Sequence, residues 1–528
     1  MSNDHGAPAE TERLLGFGPE HKKTRQRVCS VLFTAVIIVA AVIGIVSILV
    51  SLYHEPVDSY GKRNVILMIS DGFGPASETF ARDYKQYVKN LNYDYITPLD
   101  EILVGSSRTR SSDSLVTDSA AGATAFACAI KTYNGAIGVN PEEVPCGTVL
   151  ESAKHLGFVT GLVVTSRITH ATPATFSAHV ISRDMESDIA VQQIGDYPLG
   201  RQVDLMFGGG RCFFLSNSTE GSCRVDERDL IKESKERGFK YFSTRKEFDD
   251  LVPGKDKTPL LGLFTLDHMS YEIDRDPTQE PSLKEMSEKA LKFLDSATAD
   301  SDKGFFLMIE GSRIDMAAHS NDAATHVHDI LAYHETIALV RKYVDEHPGT
   351  IMISVSDHET GGLSLARQVS ELPKYLWYPE PISRVKNSSF ILSQELLRYW
   401  NSDRETYIKE LIRNGLGIED VDNYDVNWLN EKRTQLEYEY FLANITNFRA
   451  YLGWATHGHS SVDVNLYAYG QGSDALHGNH ENTNIGDFIV KYLDLDLNYI
   501  TNKLISNNDT FYKATNFTHF YNDNNHHH

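Results

Sequence analysis

The chain reads as an α/β protein with a central, largely parallel sheet flanked by helices. An inserted cap region and one N-terminal transmembrane helix complete the layout. Three observations carry that reading. Short, continuously apolar, β-rich runs recur at 64–70 (NVILMIS), 158–165 (FVTGLVVT), 305–309 (FFLMI) and 351–355 (IMISV). Helix-like stretches separate them, as at 282–296 and 324–345. Strands apolar on both faces and alternating with helices belong to a buried parallel sheet. Third, residues 365–455, rich in Tyr, Trp and charge, break this rhythm and read as an insertion.

In chain order, residues 1–27 form a polar tail on the cytosolic side. Its Glu10-Thr-Glu-Arg-Leu14-Leu15 stretch resembles an acidic dileucine signal read by sorting adaptors. Residues 28–50 are an apolar run, long enough for a bilayer crossing of about 20 residues. Lys22, Lys23, Arg25 and Arg27 precede it, and Glu55 and Asp58 follow. A positive flank stays cytosolic, so a single-pass type II protein with a lumenal body is expected. The run is too long and begins too late for a cleaved signal peptide. Residues 51–62 are a linker, 63–495 the main folded domain and 496–528 a polar tail ending in histidines.

Asn-x-Ser/Thr sequons at Asn217, Asn387, Asn444, Asn508 and Asn516 all lie beyond the membrane run. So do Cys128, Cys146, Cys212 and Cys223, an even number that suggests two disulfides in an oxidising compartment. Of three connectivities, we expect the sequence-near pairs. The net charge of −22 excludes a basic nucleic-acid footprint.

The strand ends carry the chemistry. Asp71 follows the first strand, Glu310 the third and Asp357-His358 the fourth, while His170 and Thr172 lie just past the second. Ligands of open α/β sheets collect beyond the carboxyl ends of strands, so these groups converge on one rim. Asp315 and His319, four apart, share one helix face. A further histidine comes from Thr456-His457-Gly-His459. Imidazole with carboxylate suits zinc, which places Asp315, His319, Asp357, His358 and His459 in that class. Glu310 and Thr172 are of the all-oxygen, magnesium type, and Asp71 could bridge. Asp118-Ser119-Ala-Ala-Gly-Ala reads as an N-cap opening a small-residue helix, whose free amides attract an anion. Ser119 there could attack phosphorus. Arg183 is a candidate clamp, although spacing alone does not single it out among the arginines.

Together, Asp71-Gly72, Thr-Asp118-Ser119-Ala-Ala, His170-Ala-Thr172-Pro, Glu310-Gly-Ser-Arg-Ile-Asp315 with His319, Asp357-His358 and His459 resemble the alkaline phosphatase family. The resemblance spans about residues 63–495. It implies hydrolysis of phosphate monoesters, small ones and phosphopeptides alike, through a phosphoserine at Ser119, with Arg183 as clamp. It further implies a homodimer with two zinc ions and one magnesium per site. One zinc falls to Asp315, His319 and His459, the other to Asp71, Asp357 and His358. Magnesium falls to Asp71, Thr172 and Glu310, with His170 beside it. His459 keeps the family's spacing to the following strand better than His457. The tail, membrane run and dileucine resemble the fungal vacuolar members, which places the protein in the vacuole membrane. Two departures stand out. His170 replaces the acid of bacterial members, as in animal ones. Met316 stands where members carry His or Lys, putting that cation's help in phosphate binding in doubt.

Overall fold

The structure, a computed structural model, describes residues 61–506 together with Val31, residues 34–42 and Gly44. The chain divides into two units, one up to Tyr60 and one from Gly61 onward. The expected membrane run lies largely outside the described residues. Those of it that are described are helical. Among the described residues no helix is long and apolar enough to cross a membrane.

The second unit is built on a ten-stranded sheet. Its strands, in chain order, are β1 (Asn64–Ile69), β2 (Leu103–Arg108), β3 (Val159–Arg167), β4 (Leu205–Gly209), β5 (Lys240–Phe242), β6 (Leu260–Leu263), β7 (Phe305–Glu310) and β8 (Thr350–Val355). A two-stranded ribbon, β9 (Glu359–Thr360) and β10 (His459–Ser460), stands apart. Then β11 (Val464–Gly470) and β12 (Gly478–Glu481) rejoin the main sheet. The spatial order is β12-β2-β11-β8-β1-β7-β3-β4-β6-β5. Only β11 runs antiparallel to its neighbours.

β1 shows why the apolar runs are continuous. Ile66 and Met68 face a core shared with Val327, Ile330, Ile337 and Val340 of the helix Ala323–Glu346. Val65, Leu67 and Ile69 face the opposite core, with Phe126, Val149, Leu150 and Ile485. These five apolar side chains are fully buried. Each such burial contributes about 1.5–3 kcal/mol, which is why no polar residue interrupts the run. Both disulfides form between sequence neighbours, Cys128–Cys146 and Cys212–Cys223.

Register brings the strand ends level. Ile69 pairs with Glu310 on one side and with Val355 on the other, and Val164 pairs with Glu310. The residues just past β8, β1, β7 and β3 therefore share one edge. The insertion at 365–455 is helical and adds no strand to the main sheet; its longest helix is Gln435–Ala450. It leaves after β9 and returns at β10, where His459 pairs with Thr360. The polar tail expected from 496 begins instead with a helix, Leu497–Ser506. Its Ile500 and Leu504 are buried, a period-4 apolar pair that the surrounding Asn and Asp conceal.

Candidate metal centre

The turn after β1 places the first carboxylate. Gly72 has φ +74°, and a Cβ there would sit 2.6 Å from the Cα of Asp315. Only glycine allows both the left-handed turn and the approach of the next ligand-bearing helix. Asp71 is fully buried, as are Glu310, Asp357 and His358. The short helix Arg313–His319 follows β7 and presents Asp315 and His319 side by side, with His319 Nε2 3.2 Å from Asp315 Oδ2.

Three groups of donors result, each within one ion's reach: Asp71, Asp357 and His358; Asp315, His358 and His459; and Asp71, His170 and Glu310. His319 Nε2 also lies 3.1 Å from His459 Nε2, joining the second group. His459 lies among these donors and His457 does not. His459 Nε2 is 3.7 Å from Asp315 Oδ1. His457 instead bonds the His319 carbonyl at 2.7 Å and stacks on Tyr440 of the insertion, ring to ring at 3.6 Å.

The histidine tautomers point the same way. His319 Nδ1 donates to the His457 carbonyl at 2.5 Å, and His459 Nδ1 to the Thr117 carbonyl at 2.8 Å. Thr360 Oγ1 donates to Asp315 Oδ1 at 2.5 Å, so His358 Nδ1 donates to that hydroxyl at 3.2 Å. Each ring thus turns an Nε2 lone pair inward, the arrangement by which outer partners prepare imidazole for a metal.

The donors fit cations on a second count. Both oxygens of Asp71, Oδ2 of Asp357, Oε1 of Glu310, Oγ1 of Thr172 and Nδ1 of His170 are buried with no hydrogen-bond partner. Burial, then the charges of Asp357, Asp315 and Glu310, hold Asp71 well above the usual carboxylate range. Burial and Asp315 push Asp357 up to about 7. Burial pushes Glu310 up to about 8 against the opposing hydrogen bond of Ser312. Burial holds His358 well below its ordinary value and lowers His459 to about 4. Such a set of carboxylates ionises together only beside positive charge, and buried charges are tolerated when they coordinate metals.

Ser119 opens the helix Ser119–Cys128 at this edge and is 1% exposed. Its Oγ lies 3.1 Å from His358 Nε2. Asp118 caps the helix, accepting from Ala121 N at 2.9 Å through Oδ1. Its Oδ2 accepts from Gly135 N at 2.9 Å and from Arg183 Nη1 at 3.1 Å. Arg183 Nη2 meets His170 Nε2 at 3.1 Å. The one arginine that spacing could not distinguish is therefore held beside the helix start. Met316, which stands where family members carry His or Lys, packs with Tyr271 and Ala317, its sulfur 2.9 Å from Arg313 Nη1.

Sequence reasoning missed three residues here. Thr360 links two donor groups but looks like one more strand threonine. His268 lies five residues past β6, a strand too short to recognise; its ring stands edge-on to His170 at 5.4 Å. Arg313 lies between two recognised acids and carries no periodic signal.

Residues 62–495 match the alkaline phosphatase family. The repressible alkaline phosphatase of Saccharomyces cerevisiae is 44% identical over 94% of each chain. The alkaline phosphatase of Schizosaccharomyces pombe is 48% identical over 83% of each. The crystal structure of Thermus thermophilus alkaline phosphatase superposes with a TM-score of 0.70 at 28% identity, over 83% of this chain and 93% of that one. The cold-active enzyme of Shewanella sp. gives 0.69 at 30% identity, over 81% and 99%. Donor groups gathered at the sheet edge and sequence kinship across the whole folded unit lead to one conclusion: the chain belongs to the alkaline phosphatase family, metal-dependent enzymes that hydrolyse phosphate monoesters.

Proposed function

We propose that the protein hydrolyses phosphate monoesters through a covalent phosphoserine at Ser119. The observation that carries this reading is the position of Ser119 Oγ, 3.1 Å from His358 Nε2 at the start of a capped helix. Two zinc ions fit the imidazole–carboxylate sets, one with Asp71, Asp357 and His358, the other with Asp315, His319 and His459. Magnesium fits Asp71, Thr172 and Glu310, with His170 beside it. When bound, these cations supply Lewis-acid stabilisation of the attacking and leaving oxygens.

The chain's own groups do the rest. The amides of the first helical turn have no partner within the helix, and its dipole favours an anion there. The Ser119 amide and the Arg183 guanidinium hold phosphoryl oxygens, with Asp118 keeping Arg183 in place. Ser119 gives its proton to water as its oxygen bonds phosphorus, and the ester oxygen leaves in line with the electron pair and takes a proton from water. Water then cleaves the phosphoseryl ester, releasing inorganic phosphate and restoring the serine. Because His358 adjoins Ser119, the Asp315–His319–His459 set lies on the leaving-group side.

A homodimer anchored in the vacuole membrane, body lumenal and tail read by an adaptor, is the setting we propose. The basic flank, the sequons beyond it and two disulfides support that orientation. Ser119→Ala tests the chemistry. Metal content is retained while turnover and the acid-stable phosphoprotein formed with substrate both disappear; full turnover in the variant rejects the mechanism.

A further inference from the structure

The helix Arg313–His319 is seven residues long and ends on a proposed zinc ligand. The carbonyls of a helix's last turn have no partner within the helix, and such ends fray unless groups from outside hold them. Here one residue holds His319 by both its side chain and its main chain. The His457 carbonyl accepts from the His319 ring Nδ1 at 2.5 Å, and the His457 ring Nδ1 donates to the His319 carbonyl at 2.7 Å. His457 also lies two residues before His459, whose Nε2 is 3.1 Å from that of His319. Fixing His457 therefore fixes both histidines of the Asp315–His319–His459 set.

His457 is itself exposed, so its ring keeps one orientation only where something packs against it. Tyr440 supplies that contact, its ring 3.6 Å away centre to centre and tilted by 9°. Tyr440 belongs to the insertion helix Gln435–Ala450. The same helix reaches the two residues that follow the ligand. Glu439 accepts from Ser320 Oγ, and Asn447 Nδ2 donates to the Asn321 carbonyl at 2.7 Å. Tyr440 and Asn447 are seven positions apart, two turns along one face. Glu439 and Asn447 are both buried, 6% and 2% exposed. One helix of the insertion thus grips His319, Ser320 and Asn321 in succession, the first of them through His457. The other proposed zinc set is held at the sheet edge instead. Asp357 Oδ1 accepts from Gly72 N at 3.4 Å, and His358 Nδ1 donates to Thr360 Oγ1 at 3.2 Å.

We propose that the insertion, acting through the Tyr440–His457 stack, retains the cation of the Asp315–His319–His459 set. Tyr440 and His457 are positioning residues that act through His319 rather than by ligation. They order His319 and His459 before the cation arrives, so less conformational freedom is lost when it binds. The two zinc sets then differ in what secures them: the insertion for one, the strand ends for the other. This rests on the assignment of Asp315, His319 and His459 to one zinc given above.

The test is zinc retention by the full chain, loaded with zinc and magnesium and titrated with a chelator. Wild type, Tyr440→Leu, Tyr440→Phe and His457→Ala are compared by metal analysis. Loss of an outer partner lowers metal affinity about 10–100-fold. Tyr440→Leu and His457→Ala should therefore release one zinc per chain at a chelator concentration about tenfold lower or less, and hold the second as wild type does. Tyr440→Phe, which keeps the stacked ring, should retain both as wild type does. A general structural role would loosen the two ions together, and that result overturns the proposal. Equal loss in Tyr440→Phe and Tyr440→Leu, or unaltered retention in Tyr440→Leu and His457→Ala, also overturns it. If Tyr440→Leu fails to fold, His457→Ala, at an exposed position, decides by the same criterion. A wild type that holds no zinc refutes the underlying metal sets instead.

Discussion

Replacing Thr360 with valine isolates the contribution of the outer hydrogen bonds to the metal sets. The hydroxyl donates to Asp315 Oδ1 at 2.5 Å and receives the His358 Nδ1 proton at 3.2 Å. It therefore joins one donor of each proposed zinc set. Valine has nearly the same shape, so no cavity forms and packing changes little. Thr360 and His358 are fully buried, and no water replaces the lost acceptor. Leaving a buried donor unsatisfied costs about 1–3 kcal/mol, and the ring loses the partner that aims Nε2 inward. Loss of such an outer partner lowers metal affinity about 10–100-fold. Competition against a zinc chelator, followed by metal analysis and aryl phosphate turnover at limiting zinc, measures this directly. Turnover should fall in parallel with zinc content and recover on adding zinc, and Thr360→Ser should retain most of the affinity. Unaltered zinc affinity in Thr360→Val would refute the argument that the hydroxyl orients His358.

Other expectations follow from the same geometry. Chelation should abolish turnover and zinc with magnesium together should restore it; active protein free of zinc contradicts the proposed sets. Gly122→Ala places a Cβ 3.0 Å from the Asp357 Cβ, so about 1–3 kcal/mol of overpacking and reduced zinc content are expected in thermal melts and metal analysis. The buried pair His179–Glu151, 2.9 Å apart, gives a pH test. Burial lowers the His179 value, yet the Glu151 charge and hydrogen bond outweigh it and leave it raised. A raised histidine stabilises the fold below its unfolded value of about 6.5, and that stability fades as pH climbs through the folded value. The melting deficit of Glu151→Gln should therefore be larger at pH 6 than well above neutrality, on a scale of roughly that one interaction; a deficit independent of pH rejects the charged pair.

How far each residue could be read depends on how its signal is encoded. Local signals survived intact. The strands at 64–69, 305–310 and 350–355 and the helices at 283–297 and 323–346 are within a residue or two of their apolar runs. Asp118 announces itself as a cap because the cap chemistry is local. β4, β5, β6 and β12 are short and partly glycine-bearing, and no periodicity that brief separates a strand from a loop. The helix at 497–506 was hidden among Asn and Asp residues that suggest a tail.

Taken alone, the sequence determined the α/β layering, the acids at the strand ends, the helix opened by Ser119 and the histidine-bearing segment after the insertion. It could do so because burial on both faces of a parallel strand and the caps of helices are properties of neighbouring residues. Residue spacing alone left open which arginine stands beside Ser119 and which histidine of 457 and 459 turns inward, choices that the family resemblance made and the packing accounts for, while only the tertiary structure showed that Thr360 ties the donor sets together. It also packed Arg313, buried, against Tyr271 and Met316. These depend on register across β9 and β10 and on contacts between residues 65 to 140 positions apart, as between Arg183 and Asp118 or His319 and His459. Pairings at such distance are set by how the layers pack, and packing is a property of the whole fold.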